Sequence, residues 1–117
     1  AGQAVNPGFI EAQITGQLIQ ATSRVLKEEV TFSRTHVTSL DWVSYPILRC
    51  GESPEVVPVV VKRQDQPSTG VGEEMLASAV AAIANAFFDA TGARLREHPM
   101  IPPRLLAAPK RGQRTQA

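Results

Sequence analysis

The sequence predicts an α+β fold, two amphipathic helices packed on a small, mostly antiparallel sheet, and three observations predict it. Ile10, Ile14, Leu18, Ala21 and Val25 recur at helical spacing, and so do Leu76, Val80, Ile83, Phe87 and Ala90, so each series forms one apolar stripe. Between the two series, Val56, Val57, Val59, Val60 and Val61 form a β-branched run, the strongest strand signal in the chain. Finally, 117 residues with 43% apolar and 20% charged content suit one modest hydrophobic core.

Taken in order, Asn6-Pro7 is a helix entry: the Asn side chain caps exposed N–H groups, and proline's fixed φ suits the first turn. The helix is expected to run to about Glu29. Gly16 in its interior costs about 1 kcal/mol against alanine, which a close approach of backbone or ligand would explain. Val30–Phe32, Val37–Leu40 and Trp42–Tyr45 read as a hairpin or meander turning at Ser33–Thr35, with Trp42 and Tyr45 on opposite faces. Pro46 and Gly51–Pro54 interrupt it. Pro58 removes a ladder donor from the valine run, so that strand lies at an edge or carries a bulge. Gln64–Gly72 is a polar turn leading into Glu73-Glu74-Met75 and the second helix, which Thr91-Gly92 stops. Leu95–His98 reads as a final short strand. Residues 1–108 are thus expected to form the folded segment, and 109–117 a flexible basic tail.

A net charge of +1 provides no field to steer nucleic acid or an anionic membrane. Arg104, Lys110, Arg111 and Arg114 are expected to make only weak contacts, so no nucleic-acid partner is expected. Cys50 is the only cysteine, which rules out an internal disulfide and a cluster or zinc site built on several thiolates of this chain. It reads as a small, at least partly buried side chain. His36 and His98 have no second ligand at metal spacing and read as surface residues, so no metal ligand is assigned. No apolar run reaches the length of a transmembrane segment, and no secretory signal opens the chain. A soluble protein is expected, with cytoplasm and periplasm equally open. Ala1 without a methionine fits a processed product, an excised domain or one piece of a larger polypeptide.

Chemistry concentrates in the turn before the second helix. Gly70 and Gly72 let backbone approach a ligand, and the first helical turn presents unpaired N–H groups. The segment is neither a dinucleotide fingerprint, whose third glycine would fall at Met75, nor a Walker loop, because no Gly-Lys-Ser/Thr follows. Glu73 and Glu74 have a plain structural explanation as acids at a helix start, worth roughly 0.3 to 1 kcal/mol each.

A wider set of motifs points further. Ser68-Thr69-Gly70-Val71-Gly72-Glu73, followed by the stretch from Ala82 to Arg96, resembles the C-terminal signature of the xanthine dehydrogenase and aldehyde oxidase family, the molybdenum hydroxylases. Val5-Asn6-Pro7, Gln13-Ile14-Thr15-Gly16, Leu26–Val30, Asp41–Leu48 and Pro54-Glu55-Val56 match in the same order. The likeness covers roughly residues 2 to 99 and is greatest to subunits of the isoquinoline and nicotinate oxidoreductase type.

The resemblance implies part of a large subunit that binds a molybdopterin-type molybdenum cofactor and hydroxylates an aldehyde or N-heteroaromatic carbon with water-derived oxygen. It places the general base on Glu73, which would take a proton from the attacking oxygen in a partly dry pocket. Glu74 stands where relatives usually have proline, which leaves two adjacent carboxylates in a less constrained loop. Gln13 matches the family's cofactor-contacting Gln, Gly16 becomes the close-approach glycine, and Val71 and Gly72 flank the base. Implied partners are the remainder of the large subunit and an iron–sulfur chain or domain that carries electrons away. The alternative is a non-catalytic structural or assembly module of such a complex, with Glu74 and the alanine-rich Ala77–Ala86 stretch as its signs.

Overall fold

Asn6 opens the first helix as its chemistry requires. Its Oδ1 accepts from the Phe9 N–H at 3.2 Å, and Pro7 takes the first helical position, where a missing N–H costs nothing. In the computed structural model, which describes residues 1–109, α1 spans Pro7–Leu26, α2 spans Glu74–Thr91 and α3 spans Pro102–Ala107, with a 3-10 turn at Cys50–Glu52. Helix α1 stops short of Glu29: the N–H groups of Lys27 and Glu28 both donate to the Ser23 carbonyl, at 2.9 and 3.2 Å, which closes the regular ladder, and the side chains beyond it turn to other parts of the chain. Glu28 accepts from the Tyr45 hydroxyl at 2.7 Å, and Glu29 accepts from Arg104 Nη2 at 2.7 Å.

Helices α1 and α2 pack against each other. Ile10, Ala21 and Val25 are buried on α1, with Ala21 wholly enclosed. On α2, Ala79 is buried while Leu76, Val80, Ile83 and Phe87 are half-buried. Gly92 ends α2 at φ 69°, the left-handed conformation that glycine adopts without a Cβ clash, and its N–H donates to the Phe88 carbonyl at 2.7 Å. The end of α1 gathers the rest of the chain. Buried Ser23 accepts from the Leu48 N–H at 3.0 Å, and the Val25 carbonyl accepts from the Met100 N–H at 2.6 Å.

The expected helix pair is present; the expected sheet is not formed among the described residues. One isolated antiparallel bridge joins Phe32 and Val37, and the valine run joins no ladder among the described residues. β-Branched residues favour extended backbone but do not supply the neighbouring strand. Trp42–Tyr45 is a turn, not a strand. Asp41 Oδ1 accepts from the N–H groups of Val43 at 3.1 Å and Ser44 at 2.8 Å, and this Asx geometry outcompetes the aromatic strand preference. Those bonds also hold the Asp41 carboxyl below its ordinary range, the Ser44 N–H foremost. Leu95–His98 forms no strand, and Cys50 is exposed rather than buried. Helix α3 is not among the expected elements; Pro102 at its first turn is a helix-start signal that a Pro-rich reading hides. Of the expected tail, residues 110–117 lie outside the described residues.

Candidate functional site

The turn before α2 is built on borrowed backbone. The Gln3 N–H donates to the Gln66 carbonyl at 2.8 Å, and the Thr69 N–H donates to the Ala1 carbonyl at 3.3 Å, so the N-terminal residues lie along the loop. Gly70 has φ 85°, a conformation that side-chain-bearing residues rarely adopt, and this turns the chain toward α2. Glu73 comes next as the N-cap residue of α2.

The loop is then clamped from α1. Gln17, 6% exposed, uses both ends of its amide: Nε2 donates to the Val71 carbonyl at 2.5 Å, and Oε1 accepts from the Met75 N–H at 2.9 Å. The second bond satisfies an otherwise orphaned N–H of the first turn of α2, the task a cap residue normally performs from within its own segment. Gln17 therefore grips the chain on both sides of Gly72-Glu73-Glu74. Sequence reasoning misses it, because Gln17 counts there as a residue off the apolar stripe. The available signal is its position between Ile14 and Ala21 at spacings of three and four, a polar residue where the helix is buried.

The two acids differ in what they do. Glu74 Oε2 accepts from the Glu73 N–H at 3.0 Å, and its other oxygen lies 3.9 Å from where a Cβ on Gly70 would stand. Its carboxylate is folded back over the loop. Glu73 is exposed, its side chain makes no capping bond, and among the described residues no hydrogen bond or ion pair reaches its carboxylate.

The remaining predicted residues fall into two groups. Val71 is half-buried and lines a cleft of about 510 Å³ between α1, the valine run and the loop, together with Ile10, Ile14, Gln17 and Met75. Gln13, Gly16, Gly72 and Glu73 are exposed and lie outside that cleft. A Cβ built at Gly16 or Gly72 meets nothing within 4 Å, so the close approach expected at Gly16 is not made by any described part of this chain. Gln13 stands three residues before Gly16 and four before Gln17 on α1, the spacings that share a helix face. Among the described residues no group of three or more His, Cys, Asp or Glu side chains is placed to hold a metal ion. Open glycine backbone and an exposed amide fit the rim of a large cofactor whose metal is held by other groups.

Comparison with known proteins gives this geometry its context. No protein-family model matches the chain. It is 48% identical over 108 residues to a subunit of the nicotinate dehydrogenase of Pseudomonas putida, covering 92% of this chain and 9% of that protein. It is 35% identical over 101 residues to the isoquinoline 1-oxidoreductase β subunit of Brevundimonas diminuta, covering 86% and 13% respectively. The molybdenum-binding subunit of an Escherichia coli aldehyde oxidoreductase is 29% identical over 113 residues, with 91% and 15% covered. The crystal structure of quinoline 2-oxidoreductase from Pseudomonas putida 86 superposes with a TM-score of 0.77 over 92% of this chain and 15% of that one, and at 24% identity it establishes the fold.

The chain belongs to the molybdenum hydroxylase family of oxidoreductase subunits. Within it, the relatives include the nicotinate and isoquinoline oxidoreductase subunits, and the chain spans 9% to 15% of the length of the curated relatives named above. Among the described residues, no helix is long and apolar enough to cross a membrane.

Proposed function

We propose that this chain supplies the general base, Glu73, to a molybdenum-dependent oxidoreductase that hydroxylates an aldehyde or an N-heteroaromatic carbon. The observation that carries the reading is the contrast at the start of α2: Glu74 is committed to the loop, while Glu73, its carboxylate without a partner among the described residues, is presented on a backbone that Gln17 holds at Val71 and Met75. A base needs that combination, a free acceptor on a fixed support. A molybdopterin-type molybdenum cofactor, when bound, supplies the two-electron oxidising power and activates the water.

In the net reaction a C–H carbon and water give a C–OH carbon, two protons and two electrons. Glu73 accepts one of those protons at its carboxylate. Gln13 donates and accepts through its exposed amide toward the rim of the cofactor, while Gly16 and Gly72 allow close approach and Val71 presents an apolar side chain beside the base. The electrons leave through iron–sulfur clusters on another chain or domain, since one exposed cysteine ligates no cluster by itself. The remainder of the large subunit forms the rest of the pocket.

Glu73→Gln in the assembled enzyme tests the assignment. Turnover is expected to fall by about 10²- to 10⁴-fold with molybdenum content unchanged, the usual contribution of a positioned base. Near-normal turnover would return the chain to the role of a structural module.

A further inference from the structure

Residues 55–62 take no helix, turn or bend, and among the described residues no hydrogen bond reaches any of their backbone groups. Both faces of this stretch are apolar. Val56, Pro58 and Val60 are half-buried, whereas Val57, Val59 and Val61 are 77%, 79% and 72% exposed. Alternating burial is the signature of a strand, and a run that is apolar on both faces belongs to a strand covered on both. Three aligned exposed valines beside an unpaired backbone mark a surface built to be covered. Material to cover it is not lacking, because this chain corresponds to only 9% of the nicotinate dehydrogenase subunit and 13% of the isoquinoline 1-oxidoreductase β subunit.

We propose that Val56–Val61 is a β-strand completed by a sheet edge in the remainder of the molybdenum-binding subunit, which also buries Val57, Val59 and Val61. The inference rests on the family membership and not on the role of Glu73. It also selects the pairing edge. Successive residues of a strand direct their N–H and carbonyl groups to opposite edges. Pro58 has no N–H, so the edge served by Val56, Pro58 and Val60 lacks a donor at its centre. The edge served by Val57, Val59 and Val61 keeps every donor and acceptor, and the partner strand lies there.

Hydrogen exchange resolved to single amides in the complete subunit tests this. The amides of Val57, Val59 and Val61 are expected to exchange about 100-fold or more below the unpaired rate, with Val56 and Val60 faster than these three. Unpaired rates throughout would overturn the strand, and slow exchange at Val56 and Val60 in place of the other three would overturn the edge. Truncating the chain after Pro109 leaves the protection intact; its loss would make residues 110–117 the occupant and refute the proposal. Glu73→Gln leaves the exchange pattern unchanged, so a failure of the catalytic assignment and a failure of this pairing are read separately.

Discussion

The α1–α2 pair and the stretch from Lys27 to Lys62 solve the folding problem in opposite ways. The helices satisfy their backbone internally, cap themselves at Asn6 and Gly92, and bury Ala21, Val25 and Ala79. The intervening stretch leaves Phe32, Leu40, Trp42, Val43, Val57, Val59 and Val61 largely exposed, and beyond the Phe32–Val37 bridge it is held by local turns and by the bond from the Leu48 N–H to Ser23 of α1. Helices need only neighbours a few residues away, whereas a strand needs a partner from elsewhere. The first region therefore carries the candidate site on a support of its own, and the second has the composition of an interface.

Substitutions in the helix pair should break this contrast most severely. Gln17→Leu removes both bonds to the loop and leaves the Val71 carbonyl and the Met75 N–H without a partner, at about 1 to 3 kcal/mol for each buried group. A lower denaturation midpoint and a fall in kcat of the assembled enzyme are expected together. Gln17→Glu keeps the acceptor for Met75 but sets a carboxylate oxygen against the Val71 carbonyl unless it takes up a proton, so its destabilisation should grow as pH rises while that of Gln17→Leu should not; the same pH dependence in both would show that the bond to Val71 is not part of the clamp. Next in size is Val25→Ala, which opens space in a fully buried position and should cost about 2 kcal/mol by denaturant titration. Asn6→Ala removes the cap bond to Phe9 and should cost about 1 kcal/mol, read in the same titration.

The smallest effect belongs to the exposed region. Lys27 Nζ donates to Glu52 at 2.5 Å, and this bond, with the one from the Arg49 N–H, holds the Glu52 carboxyl below its ordinary value of 4.5. A depressed carboxylate stabilises the fold above its unfolded pKa, and the contribution disappears as pH falls through the folded one. The pair is solvent-exposed, so the effect on stability should be marginal and salt-sensitive. An NMR titration of Glu52 should show an inflection below 4.5 that Lys27→Ala moves upward.

Legibility in the sequence divides along the same line. The Asn6-Pro7 start, both apolar stripes and the Gly92 stop are readable because their causes are local. The end of α1 is not, since Lys27-Glu28-Glu29 carries no stop residue and the partners of Glu28 and Glu29, Tyr45 and Arg104, lie at distant positions. Trp42–Tyr45 reads as a strand only while aromatic content is weighed above the Asp41 turn chemistry. At the site, Gly70-Val71-Gly72-Glu73 is legible as a motif. For Gln17 only the inward position is legible, from its place between Ile14 and Ala21; its two contacts, more than fifty residues away, are not.

One distinction is central to the proposed chemistry: among the described residues the Glu73 carboxylate has no partner, while Glu74 is bound to its own loop. Turnover of Glu73→Gln and Glu74→Gln, compared in the assembled enzyme at matched molybdenum content, measures it directly. The structure predicts a loss of about 100-fold or more for the first and only a few-fold for the second, the latter from a loosened Gly70–Glu73 turn. Equal losses, or the larger loss at Glu74, would contradict the assignment.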